Sequence, residues 1–311
     1  MELYNKLKKL LPLLFLFALS ACGSAFAGVN VQYPASAGVG DAFALRVTSD
    51  EPLTGVSVNW QGWTVPLDIA MWNGRHIAAG LFGTQAGKVK TGTHNLKLTL
   101  QSNGKKRELS LPIKITPVAY KEDRLTLPEG MVTPPASELE RIARERKEAG
   151  RALSTLSLAR NWSIPLVRPV EGIVTSPYGR SRILNGKPRN PHGGVDFRAA
   201  AGTPVRAALA GRVVLTGDHY YAGKSVYIDS GGGVITQYFH LDTLDVKDGD
   251  EVKKGDVIAK SGKSGRVTGP HLHFGLCLSG QQVNPEPVFT GDLSAMLEKT
   301  ALVKVKFTGK E

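Results

Sequence analysis

Three short segments place imidazoles and a carboxylate where they could hold a metal ion. His271-Leu272-His273 puts two imidazoles on the same side of a strand, because strand side chains alternate with period 2. His192-Gly193-Gly194-Val195-Asp196 adds an imidazole and a carboxylate. Fully extended, that pair would lie about 13 Å apart at roughly 3.3 Å per residue, so a shared ion requires the two glycines to bend the chain. Tyr238-Phe239-His240-Leu241 contributes a further imidazole. Either His-x-His or His-x3-Asp alone is weak, since such pairs also occur as polar surface. Together they describe the donor set that Zn2+ prefers, in which a catalytic site uses three protein ligands and leaves a fourth position for water. Such water ionises near neutral pH and can attack an amide carbonyl. No His-Glu-x-x-His helix is present, so proton transfer must fall to groups other than the glutamate of that motif. His76 and His94 read as surface or turn residues, and His219 reads as a loop residue able to approach a substrate.

These residues sit in a glycine-rich stretch of short strands running from Pro165 to Phe289, and the rest of the chain must position it. The 311 residues carry 39 Lys plus Arg against 27 Asp plus Glu, a net charge of +12, with 35 glycines and 18 prolines. At 41% hydrophobic content the chain is not disordered, and two cysteines exclude a disulfide scaffold. Residues 1–21 read as a secretory signal, with Lys6, Lys8 and Lys9 ahead of an apolar run too short to span a bilayer comfortably. Leu19-Ser20-Ala21-Cys22 resembles a bacterial lipobox, making Cys22 the lipidation site, and Ala25-Phe26-Ala27 offers a competing ordinary cut. Cleavage before Cys22 leaves +10, of which only +3 falls in 165–292. Charge spread this thinly argues against a nucleic-acid partner and for an anionic envelope polymer.

Residues 22–118 are expected to form a small β-sandwich, marked by the Asn103-Gly104 hairpin turn between the alternating runs 95–100 and 109–115. Trp60, Trp63 and Trp72 could form a sugar-stacking face, with burial the commoner outcome for such aromatics. Residues 119–164 form a linker with a charged helix, starting at a Ser137/Glu140 capping box and crossing a domain surface on the stripe Leu139, Ile142, Ala149, Leu153 and Leu156. Its charge run reads as a solvated face. A tail, 293–311, begins as a short helix and then alternates. The fold class expected is mainly β: an N-terminal β-sandwich, a linker helix and a C-terminal antiparallel β domain, 165–292, with a metal-site groove.

Residues 170–287 resemble the lysostaphin/LytM-type zinc peptidases that cut peptidoglycan peptides. The likeness rests on Ser176-Pro-Tyr-Gly179, His192-Gly-Gly-Val-Asp196, Gly202-Thr-Pro-Val-Arg-Ala207, Gly223-Lys-Ser-Val-Tyr-Ile228, Tyr238-Phe-His-Leu241, Gly249-Asp-Glu-Val-Lys-Lys-Gly255 and Gly265-Arg-Val-Thr-Gly-Pro-His-Leu-His-Phe274. The resemblance implies a single Zn2+ held by His192, Asp196 and His273, with His240 and His271 catalytic. It implies a metalloendopeptidase acting on wall stem peptides or cross-links. Gly275 departs from it, since many members carry Glu there, at a position that is not a ligand. Three other readings compete: a non-catalytic wall-binding activator of amidases, which would have a broken ligand set; a biotinyl or lipoyl carrier, which needs an exposed lysine motif this chain lacks; and a structural lipoprotein tethering the envelope, which fits the lipobox and the sandwich but leaves the metal site without a use. Cys277 shares the parity of His273 and is expected as a small buried residue rather than a ligand. Gly23 after Cys22 implies, by family analogy, an outer-membrane lipoprotein at the periplasmic face.

Overall fold

The computed structural model describes residues 28–126, 133–297 and 300–307. The expected signal segment and lipidation site, Cys22, lie outside the described residues. Among the described residues no helix is long and apolar enough to cross a membrane.

The chain is mainly β. Two five-stranded sheets face each other over Phe43, Leu45, Trp60, Phe82, Leu98 and Ile113, all buried. The alternation read between 95 and 115 becomes the hairpin of Gly92–Ser102 with Lys105–Thr116, turning at Asn103 and Gly104, both at positive φ. A sheet of this kind with one face solvated needs apolar residues at every second position, which is why Leu96, Leu98 and Leu100 are buried while Lys97 is exposed. The first sheet takes its edge strand from the other end of the chain. Thr300–Val305 pairs antiparallel with Val29–Pro34, matching Val31 with Val303, and adds Val305 and Phe307 to the core. Short-range patterning carries no record of such a partnership.

The three tryptophans do not share a face. Trp60 is 1% exposed, its Nε1–H donates to the Gly83 carbonyl at 2.7 Å, and it meets Phe43 edge-on at 5.4 Å. Trp63 lies against Gly280, whereas Trp72 is 64% exposed. A sugar platform built from all three is thereby excluded. Trp60→Ala removes a buried indole and its hydrogen bond, and is expected to destabilise the protein by about 3–5 kcal/mol, measured by urea unfolding.

Three of the remaining strands, Glu122–Leu125, Ser181–Leu184 and Lys187–Pro188, form a small sheet, and the others form a ten-stranded antiparallel sheet whose core continues into the sandwich: Ala44, Ala79, Leu81 and Ala86 share one apolar cluster with Val195, Phe197, Tyr238 and Phe274. Tyr178 ties the sandwich to this sheet by hydrogen bonds. Its hydroxyl accepts the Ala86 N–H at 3.0 Å and donates to the Gln282 carbonyl at 2.8 Å. Burial pushes its phenol well above the ordinary value.

The helix Leu139–Leu153 lies across the sheet through Ala149, Ala152 and Leu153, which pack near Tyr227, Ile235 and Cys277. Its start differs from the capping box. Ser137 falls inside a 3-10 turn, Ala136–Glu138, and no side chain caps it. Its charges are also not all solvated: Arg141 pairs with Glu145 at 2.6 Å and donates to the Asp218 carbonyl, and Glu145 accepts the Tyr220 N–H at 2.8 Å. Leu139, placed on the apolar stripe, is 53% exposed.

Candidate metal centre and active site

The antiparallel pairing of Val195–Phe197 with Leu272–Leu278 sets Asp196 directly opposite His273. The neighbouring strand Val234–Leu244 sets Phe239 opposite His273 on the other side. Three donor atoms converge there. His192 Nε2 lies 3.0 Å from Asp196 Oδ1, His273 Nδ1 lies 2.9 Å from the same oxygen, and the two nitrogens are 2.9 Å apart. A tetrahedral ion with bonds of about 2.0–2.1 Å needs donors roughly 3.3 Å apart, a small expansion of this triangle. The residues therefore fit a zinc-sized ion, and among the described residues they form the one His/Cys/Asp/Glu group of this kind.

The glycines close the gap that an extended His-x3-Asp would leave. A Cβ at Gly194 would stand 2.9 Å from His273 Nε2 and run into the Phe274 carbonyl. Only glycine lets the turn press this close to the strand.

Three of the four imidazoles have their tautomer set by a carbonyl, which can only accept. His192 Nδ1 is 3.0 Å from the Pro177 carbonyl, so it carries the proton and leaves the Nε2 lone pair facing Asp196. His240 Nδ1 donates to the Ser264 carbonyl at 3.0 Å, and His271 Nδ1 donates to the Gly269 carbonyl at 2.9 Å. This is the outer-shell arrangement that orients metal-site histidines. His273 stacks on Phe239, with centroids 5.1 Å apart and planes 9° apart.

His240 reaches the site through a break in the strand pattern. Phe239 and His240 both line the same cavity, which strict alternation forbids. His240 takes a left-handed φ of 63°, and its N–H leaves the ladder to donate to the Ala222 carbonyl at 2.8 Å. There the strand exchanges partners, from Leu272–Leu278 to Val257–Ser261. The result brings the His240 and His271 rings to 4.7 Å, beside but outside the donor triangle, with His271 Nε2 3.9 Å from Asp196 Oδ1.

Electrostatics separates these groups. Burial raises the Asp196 carboxyl, but the adjacent His192 and His273 rings outweigh it and hold it well below the usual carboxylate range. Burial, followed by the neighbouring imidazoles, depresses His240 to about 3, so its ring is neutral at physiological pH. Burial also lowers His273, which favours the neutral form a metal needs.

The cavity over this cluster has a volume of about 650 Å3. Its lining includes Tyr221 and Arg266, whose guanidinium lies over the Tyr221 ring. The lining also includes Asp123, on the strand Glu122–Leu125, which pairs in parallel with Ser181–Leu184. Several contributors went unnoticed in the sequence. Ser264, which orients His240, and Asp123, which reaches the lining from outside 165–292, have no local motif. Thr175, whose hydroxyl donates to the Asp196 carbonyl, adjoins a quoted motif but carries no spacing signal.

Other candidates fall away from the centre. His219 is not an open-loop residue: it is buried at the end of Gly211–His219, with Nδ1 2.8 Å from Ser225 Oγ. Cys277 is buried among Tyr227, Ile235 and Leu153, and burial pushes its thiol up to about 12, so it is neither ligand nor nucleophile. Gly275 faces Gln237, whose Nε2 would lie 3.0 Å from a Cβ at 275.

An antiparallel sheet with a His-Asp-His donor triangle and two further histidines at the rim of a groove defines a metallopeptidase-type domain. Residues 190–285 match the model of Peptidase family M23. A structure described as a peptidase M23 from Pseudomonas aeruginosa aligns with 81% of this chain and 93% of its own, with 31% identity and a TM-score of 0.60. The chain belongs to this family. It is also 48% identical over 94 residues to the peptidoglycan DD-endopeptidase ShyA of Vibrio cholerae, covering 30% of this chain. It is 42% identical over 97 residues to the DD-carboxypeptidase/endopeptidase Mpg of Neisseria meningitidis, covering 31%. The match spans 22% of the length of each of these curated relatives.

Proposed function

We propose that the chain is a zinc-dependent hydrolase that cleaves amide bonds in the stem peptides or cross-links of peptidoglycan. The observation that carries this reading is the convergence of His192 Nε2, Asp196 Oδ1 and His273 Nδ1 within hydrogen-bonding distance, beside two histidines held in fixed tautomers. His192, Asp196 and His273 hold the ion. When bound, zinc supplies a Lewis acid and makes water acidic enough to serve as nucleophile near neutral pH.

The chain's own residues supply the rest. His240, neutral and with Nε2 turned into the groove, accepts a proton from the nucleophile. His271 is held by Gly269 so that its own Nε2 faces the site, where it donates a hydrogen bond to the developing oxyanion when protonated. Phe239, stacked on His273, restrains the orientation of that ring.

The names of the curated relatives support a peptidoglycan substrate, and with it a location in the cell envelope. The lipobox supports anchoring through Cys22 and an outer-membrane lipoprotein facing the periplasm. The division into leader, sandwich 22–118, linker 119–164, peptidase domain 165–292 and tail 293–311 is part of the same proposal, with Thr300–Val305 serving the sandwich. An amidase activator without catalysis is not favoured, because the donor set is intact. Stripping the protein with a chelator should abolish release of peptides from purified sacculi, and stoichiometric zinc should restore it. Full activity after verified removal of metal would overturn the reading.

A further inference from the structure

Three consecutive residues, Gln282, Val283 and Asn284, are each fastened to the sandwich. The Gln282 N–H donates to Gln85 Oε1 at 3.2 Å, and the Asn284 N–H donates to the Gly40 carbonyl at 2.8 Å. Between them Val283 is fully buried and packs on Gly83, where a Cβ would collide with it. The Gln282 carbonyl is held as well, by the Tyr178 hydroxyl, whose oxygen takes the Ala86 N–H. Gln85 itself sits in a closed turn, because its carbonyl accepts the N–H groups of Lys88 and Val89 at 3.1 and 3.0 Å. The strand Gln281–Val283 is therefore fixed to the sandwich along its backbone.

The Gln282 side chain reaches the metal centre. Its Oε1 lies against Gly193, where a Cβ would collide with it, and its Nε2 donates to Gln237 Oε1 at 3.4 Å. Gln237 is 1% exposed and stands opposite Gly275, so the amide that Gln282 leans on is itself enclosed. A second contact reaches the residue on the other side of His192: a Cβ at Gly87 would stand 3.3 Å from Pro191 Cδ. His192 is thus bracketed by Pro191 and Gly193, one touching a sandwich residue and the other touching a residue bonded to the sandwich. Its own backbone is tied elsewhere, its N–H donating to the Arg180 carbonyl at 2.9 Å and its carbonyl accepting the Gly179 N–H at 2.8 Å. Two successive glycines leave a chain free to adopt many conformations, so the restraint on Gly193 and Gly194 must come from what packs on them.

We propose, on the reading of His192, Asp196 and His273 as metal ligands, that Gln282 is a positioning residue that holds the His192-Gly193-Gly194 turn where it presents its donor, and that the sandwich acts on metal affinity through it. The sandwich then has a part in the metal centre without lending it a ligand. Removing the Gln282 side chain opens space behind Gly193 and lets the turn relax away from Asp196. Removing the Gln85 side chain takes away the acceptor that fixes the Gln282 backbone, and with it the base from which the side chain reaches.

Zinc alone and cobalt alone, titrated into the full chain, test this. Gln282→Ala and Gln85→Ala are each expected to weaken zinc binding about tenfold, measured by competition with a chelator; this is the low end of what altering the surroundings of a ligand costs, because Gln282 acts on the backbone beside His192 and not on its ring. Gln282→Met refills the space against Gly193 and should bind zinc within about threefold of the wild type. The visible absorption of the cobalt-loaded protein should weaken in both alanine variants and return in Gln282→Met, a signature that follows the geometry of the donors and not the stability of the fold. If Gln282→Ala does not fold, Gln85→Ala, which leaves every residue of 165–292 intact, carries the test. Zinc affinity and a cobalt spectrum equal to the wild type in either folded alanine variant would overturn the assignment and leave the metal centre standing. A wild type that binds no zinc would sink the metal centre, and the assignment with it.

Discussion

Asp196→Ala is expected to lower the affinity for zinc by at least a hundredfold and to reduce peptide release to background. Altering an outer-shell partner of a metal ligand already costs about 10–100-fold, and Asp196 contributes the oxygen that both His192 and His273 face. The variant leaves two imidazole nitrogens 2.9 Å apart with no anion between them, a poorer site for a dication. Folding should survive, because the surrounding strands are held by Val195, Phe197, Leu272 and Phe274, all fully buried. The discriminating readout is thermal unfolding with and without zinc. Ligand at a thousand times its dissociation constant stabilises a folded protein by about 4 kcal/mol, so the wild type should gain several degrees on adding zinc and Asp196→Ala should gain none. A similar zinc-induced shift in both proteins would remove Asp196 from the ligand set.

His240→Asn should have the opposite profile. Asparagine tolerates the left-handed backbone that His240 adopts at φ 63°, so the substitution removes the imidazole without the backbone penalty that most residues would incur there. Zinc content and the zinc-induced thermal shift should match the wild type. The turnover number should fall by about 10²–10⁴-fold, the usual contribution of a positioned general acid or base. Loss of zinc in His240→Asn would make His240 a ligand, and unchanged turnover would deprive it of any part in proton transfer.

What could be read from the sequence followed the range of the interactions. Period-2 alternation puts His271 and His273 at the same groove, because a local pleat decides it. The closeness of His192 and Asp196 was legible only as a requirement placed on two glycines; the cause, a turn pressed against Phe274, comes from a distant strand. His240 was visible as a residue, but its orientation depends on a strand that changes partners and on a single left-handed torsion. Ser137 does not cap the helix, because a capping box read as four letters does not report the preceding 3-10 turn. Glu145, in a run of charges that looked solvated, turns inward to hold the Tyr220 backbone, and Thr300–Val305 crosses the length of the chain to complete a sheet. Both belong to tertiary structure, which local pattern does not encode.

The most direct test of the account is mass spectrometry of a purified cross-linked muropeptide dimer incubated with zinc-loaded protein. The account predicts conversion to two monomers with a mass gain of one water, absent with Asp196→Ala and strongly slowed with His240→Asn. An intact dimer after incubation with zinc-loaded wild type, or equal conversion by Asp196→Ala, would contradict it.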